Sequence, residues 1–284
     1  PRDIVEIGGY AFVGCDFATI DIPASVKVLG NAVFEQCNNL VSVVLPEGLT
    51  SIGSSAFQSC QSLTEIDIPD GVESLYWGTF NSCSKLKRVK LPAQLRYIEG
   101  YTFAYCYELE EINIPSQVES IEYSAFNWCQ NLKKIDLSHC ASLNYISSAV
   151  FYGCSKLESV NLPASLDRIG SDAFAECYAL VNLSTQALSA PQTEGNVFMG
   201  VDNGVTYFAL PTQSYDEYNA AGEWSQFIQT RPCIDVTVND GYSENGGGKV
   251  RYDNNWHRDH NDLNADVSGI DGYVGDAMSL YVPT

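Results

Sequence analysis

The sequence predicts a repeat solenoid, mainly β with short helical turns, built of about eight coils of 23 residues. Three observations predict it. A phenylalanine recurs about every 23 residues, at Phe12, Phe34, Phe57, Phe80, Phe103, Phe126, Phe151 and Phe174. A cysteine follows each one by three residues, from Cys15 and Cys37 to Cys154 and Cys177. The apolar residues between successive phenylalanines step by three and then by two, as in Phe57, Cys60, Leu63, Ile66 and Ile68. One such unit cannot bury its own apolar face, so neighbours must stack on it.

The steps assign the elements of each coil. Three-residue steps from Phe57 to Leu63 suit a tight helical turn, in which side chains three apart share a face. The step of two from Ile66 to Ile68 is strand alternation. Pro69 ends that strand, because it cannot donate to a sheet ladder, and Val72 and Leu75 complete the coil. Stacked strands form parallel ladders about 4.8 Å apart. Their outward positions run Ser42/Val44, Glu65/Asp67, Arg88/Lys90, Glu111/Asn113, Lys134/Asp136 and Ser159/Asn161. Acid and base alternate from coil to coil, the pattern of a cross-strand charge ladder that stabilises pairing.

Stacking also accounts for the cysteines. Equivalent residues lie one above another, so the eight repeat cysteines form a column inside the coil. Disulfide frameworks belong to small domains short of core, and the clustered C-x-x-C spacings of zinc sites are absent. A ladder of reduced, buried thiols is expected, since free cysteine packs as a small hydrophobe. Geometry alone leaves pairing between adjacent members open. Cys140, beside His139 in "LSHCASLNYI", falls off the column with two extra residues and is expected in an exposed bulge. Cys233 follows the repeats.

The frame A-F-x-x-C-x-x-L-x-x-I-x-[IL]-P-x-x-[VL]-x-x-[IL] resembles the BspA-like leucine-rich repeats of bacterial and protist cell surfaces. The resemblance implies a right-handed leucine-rich-repeat stack over residues 1–183. Residues 184–232 look like that family's C-terminal capping unit, on Phe198, Gly200, Tyr207, Pro211, Tyr218, Trp224 and Phe227. A cap is physically required, because the last coil would otherwise expose its core. Residues 233–284 alternate like strands around "CIDVTVND", "GKVRYDN" and "MSLYVPT", and read as a small β-rich module or the start of a larger one.

Composition narrows the function. Apolar residues make up 45% of the 284 and charged residues 18%, a globular balance. The formal charge of −20, from 35 acidic and 15 basic residues, opposes nucleic-acid and anionic-membrane partners. No apolar run reaches the length of a membrane span. The chain begins at Pro1 without a methionine and reads as trimmed of its targeting segment. The resemblance implies an extracellular or cell-surface location, and a monomer that contacts host protein or glycan.

Catalytic signatures are scarce. The histidines are His139, His257 and His260, and no G-x-S-x-G, H-E-x-x-H or phosphate loop is present. Thirty-five acidic residues make any chosen carboxylate pair uninformative. Asp262, Asn264 and Asp266 begin like a calcium loop, but Val267 stands where its turn glycine belongs and Tyr273 where its bidentate glutamate belongs. No cofactor is implied.

Aromatics on the middle coils are the best candidates for binding. Trp77, Tyr97, Tyr101, Tyr105, Tyr107, Tyr123, Trp128 and Tyr145 fall outside the apolar frame, at positions that are small or polar in other coils. Exposed clusters of such rings mark binding surfaces. A non-catalytic adhesion or ligand-binding module using Trp77, Tyr97, Tyr101, Tyr105, Tyr123 and Trp128 is therefore expected. The alternative is an architectural spacer that displays the C-terminal β module, in which case the rings stack between coils. A glycan-active enzyme is the third reading.

Overall fold

Each coil has three sides: a three- or four-residue strand, reduced in one coil to isolated bridges at Glu111, a two-residue strand and a turn carrying the phenylalanine. A computed structural model describes residues 3–228, together with the strands Val236–Asn239, Gly248–Val250 and Ser279–Leu280. Nine turns of the solenoid are present, one more than the eight copies of the full motif, because residues 192–209 of the capping unit add another coil.

The longer strands pair in parallel at the predicted register, Glu65 opposite Arg88 and Asp67 opposite Lys90. At Glu111 the ladder thins to isolated bridges to Arg88 and Lys134, then runs from Lys134–Asp136 through Tyr207–Ala209. The short strands form the second side, from Glu6–Ile7 to Gln192–Thr193. The charge ladder appears at Arg88, whose guanidinium bonds Glu65 at 2.7 Å and Asp67 at 3.1 Å on the preceding coil. Such exposed pairs contribute little stability.

The third side holds the core together. Its phenylalanines stack face to face from Phe12 to Phe198, with centroids 5.2–5.8 Å apart and planes within 20°. Offset pairs of this kind contribute about 0.5–1.5 kcal/mol each beyond their burial. In every motif coil the cysteine N–H closes an i to i+3 turn onto the phenylalanine carbonyl. The thiol of the next coil then donates to the same carbonyl: Cys60 Sγ to Phe34 O at 3.1 Å, Cys83 Sγ to Phe57 O at 3.1 Å, Cys129 Sγ to Phe103 O at 3.2 Å. Seven cysteines, Cys37 to Cys177, repeat this bond at 3.0–3.3 Å. The column is therefore both packing and hydrogen bonding. All nine cysteines among the described residues are free thiols, and only Cys15, in the first coil, is not fully buried.

Cys140 corrects the sequence reading. It is fully buried and bonds Pro115 O at 3.5 Å. Leu143 N–H bonds Cys140 O, as Val118 N–H bonds Pro115 O and Leu166 N–H bonds Pro163 O. Cys140 thus occupies the place of the repeat proline, and the two extra residues, Ser138 and His139, make the bulge instead. His139 turns its Nε2 to Ile114 O at 2.7 Å and forms no dyad with the thiol.

The cap matches the polarity of the ladders it ends. In the turn ladder each N–H donates to the following coil, as Phe174 does to Val197 O. The last donor, Phe198 N–H, finds the Glu223 carboxylate at 3.1 Å. In the short-strand ladder carbonyls accept from the following coil, and the last, Pro191 O, accepts the Trp224 indole N–H at 2.8 Å. Trp224 and Phe227 close the phenylalanine stack edge-on against Phe198. Tyr218, on the helix Tyr215–Ala220, is buried and donates its hydroxyl to Ala187 O. Val236–Asn239 pairs antiparallel with Gly248–Val250 and Ser279–Leu280, the three segments read as strands. Cys233, His257, His260 and the calcium-loop candidates Asp262, Asn264 and Asp266 lie outside the described residues.

Burial pushes the thiols up, Cys140 to about 11 and Cys154 to about 12. An unfolded thiol ionises near 8.5, so native stability is intact below about pH 8 and falls as pH rises toward the native values. Each buried thiol steepens that fall by up to about 1.4 kcal/mol per pH unit. Urea midpoints measured from pH 7.5 to 9.5 should drop progressively, and Cys154→Ala should shallow the slope. A flat profile would contradict it.

Candidate functional site

Every coil places two residues in the left-handed region, two before and two after its phenylalanine: Tyr101 and Tyr105 around Phe103, Ser124 and Trp128 around Phe126. Only Gly14, Gly78, Gly153 and Gly200 among them are glycine. A non-glycine residue there costs roughly 1–2 kcal/mol, which the hydrogen bonds of the turn ladder offset. Tyr101 N–H donates to Tyr123 O, Phe103 N–H to Ala125 O and Tyr105 N–H to Asn127 O. At these positions Tyr101, Tyr105 and Trp128 are partly exposed, whereas the smaller Ala32 and Ser124 are buried.

The candidate aromatics separate into three groups. Trp77, Tyr101 and Tyr123 meet on three consecutive coils. The Trp77 and Tyr101 centroids lie 4.8 Å apart with planes at 59°, and those of Tyr101 and Tyr123 lie 5.4 Å apart at 69°. Gly100 makes room, since a Cβ there would come within 2.6 Å of the Trp77 ring. Trp77 and Tyr123 remain 51% and 45% exposed, and the neighbouring Tyr76 38%. Tyr101 is half-buried, and burial together with a hydrogen bond to Tyr123 raises its hydroxyl pKa.

Tyr105, Tyr107 and Trp128 form the second group, around the other left-handed column. Tyr105 meets Tyr107 at 6.2 Å, and Trp128 meets Tyr152 at 5.9 Å while lying over Gly153. Tyr97 and Tyr145 form the third, on the short strands, where both are engaged. The Tyr97 hydroxyl donates to Glu119, which Arg96 also grips at 2.6 Å, and the Arg168 guanidinium covers Tyr145 at 4.4 Å. Hydrogen bonds from Arg96 and then Tyr97 hold the Glu119 carboxyl below its usual range.

A groove of about 520 Å³ runs over the first coils as far as Tyr76, the chain neighbour of Trp77, and is lined by none of the three rings. Gly9, Gly30 and Gly53 lie along it, with Tyr10 and Tyr76 among its lining. Those glycines are forced by close stacking, since a Cβ on Gly30 would come within 2.3 Å of Gly9 N. Sequence periodicity missed Tyr76, which sits where neighbouring coils carry Gly53 and Glu99 and is visible only once those columns are aligned. Among the described residues no three His, Cys, Asp or Glu side chains gather as a metal site, and no helix is long and apolar enough to cross a membrane.

Stacked 23-residue coils with a buried phenylalanine and cysteine column define a leucine-rich-repeat solenoid. The profile of the BspA type leucine rich repeat region matches residues 5–133 and 98–215, in six copies. The chain belongs to that family. Among solved structures it is similar to a leucine rich repeat protein of T. pallidum, TpLRR, at 23% identity and a TM-score of 0.52, over 70% of this chain and 84% of that one. A leucine-rich repeat protein from Bacteroides ovatus shares 27% identity over 73% of this chain and 67% of its own, with a TM-score of 0.45. The first likeness bears on the fold alone. No curated protein matches the chain.

Gly100→Ala should push the Trp77 ring off Tyr101 while the coil stays folded. Near-ultraviolet circular dichroism should lose the contribution of that ring pair, with the thermal midpoint lowered by only a few degrees. An unchanged spectrum would mean that the rings are not held together.

Proposed function

We propose that the chain is a non-catalytic ligand-binding module, extracellular or on a cell surface, that adheres to host protein or glycan through the corner formed by Trp77, Tyr101 and Tyr123. The observation that carries this reading is the exposure of Trp77 and Tyr123 in a cluster spanning three coils. Single exposed apolar residues need no explanation, whereas contiguous rings usually do. Tyrosine and tryptophan also dominate binding hot spots. Membership of a family resembling cell-surface repeats supports the location.

The spacer reading has one observation in its favour: the rings already touch one another across coils, so part of their area serves the stack. Binding separates the two. The purified chain should bind at least one member of a panel of matrix proteins, mucins and polysaccharides. The triple variant Trp77→Ala, Tyr101→Ala, Tyr123→Ala should bind that partner at least about tenfold more weakly, with far-ultraviolet circular dichroism unchanged. Equal binding by the variant would move the contact elsewhere, and no binding by either would favour the spacer.

A further inference from the structure

Resting on that reading, we infer that the corner receives a cationic side chain: the partner is a polypeptide segment presenting arginine or lysine. The first observation is geometric. Trp77, Tyr101 and Tyr123 are inclined to one another by 59° and 69°, so their faces make a faceted corner rather than a flat platform. A sugar ring stacks on a flat face. A compact cation is attracted to the face of each ring within about 6 Å, and several inclined faces can act on it together.

The second observation is charge. The column beside the rings carries Tyr76, Glu99 and Glu122 in successive coils. Glu122 is exposed, and the Glu99 carboxylate sits against the Trp77 main chain, accepting its backbone N–H at 3.0 Å. The basic residue nearest to Tyr101 in sequence, Arg96, is bound to Glu119. Glu122 thus offers a partner cation an exposed carboxylate next in the chain to Tyr123. The formal charge of −20 steers a basic segment toward the whole surface, but only the corner adds ring faces to that attraction. Beyond Tyr76 the glycine-lined groove offers room for the rest of an extended segment.

The test uses calorimetric titration of the whole chain with a short peptide carrying two arginines, and with its counterpart in which neutral citrulline replaces both. The parent should bind the arginine peptide and not the citrulline one. Trp77→Ala with Tyr123→Ala, which leaves every charge in place, should weaken binding about tenfold. Glu99→Gln with Glu122→Gln should weaken it too and flatten its salt dependence. Equal affinity of the ring variant would reduce the attraction to diffuse charge and overturn the inference. Ring-dependent binding of a neutral oligosaccharide, with none of the arginine peptide, would also overturn it while leaving the adhesive corner standing. No ring-dependent binding to any probe would remove both.

Discussion

The carbonyl oxygen of each repeat phenylalanine from Phe12 to Phe151 accepts two hydrogen bonds, one from the cysteine N–H three residues on and one from the cysteine thiol of the next coil. Much of the architecture follows from that shared acceptor. It fixes the turn, because the first bond needs the i to i+3 geometry. It links neighbouring coils, because the second bond crosses between them. It demands a side chain that is apolar enough to bury and still able to donate, which describes a thiol. Each bond is individually weak, of the order of 1 kcal/mol or less, but the thiol bond recurs seven times beside the stacked rings. The left-handed residues on either side of the phenylalanine are the conformational cost of this arrangement.

That cost connects scaffold to surface. Left-handed positions carry serine, alanine, glutamate or a large ring without disturbing the phenylalanine stack, small residues such as Ala32 and Ser124 buried there and Tyr101, Tyr105 and Trp128 partly exposed. The middle coils use this freedom for Tyr101, Tyr105 and Trp128. Wide rings still need space on the adjacent coil, and glycine supplies it: Gly100 beneath Trp77, Gly153 beneath Trp128 and Gly200 beneath Tyr178. A binding surface can thus vary from coil to coil while Phe, Cys and the strand residues stay constant.

The period, the strand register and the cysteine column were legible because they repeat, and a residue seen eight times announces its environment. Cys140 was misread because it occurs once. The two inserted residues hid that Cys140-x-x-Leu143 reproduces the Pro115-x-x-Val118 turn, and burial followed from that equivalence rather than from the cysteine frame. The capping contacts of Glu223 and Trp224 were legible only as residue types, since their roles depend on the opposite polarities of two ladders. The candidate rings were legible as outliers from the apolar frame. Their division into three groups was not, because it depends on which corner of the coil each column occupies. Tyr97 and Tyr145 show the difference best: both stand outside the frame, yet their rings and hydroxyls are already engaged by Arg168 and Glu119.

The shared acceptor can be observed directly through the S–H stretch, which lies in a spectral window free of other protein bands. The infrared spectrum of the folded chain should show a narrow S–H band shifted to lower frequency by hydrogen bonding. Phe carbonyls labelled with carbon-13 should report the second donor as a further red shift. Both features should vanish on unfolding in urea. An S–H band at the free-thiol position, unchanged when the chain unfolds, would show that the thiols only fill space and that the coils are joined by their ladders alone.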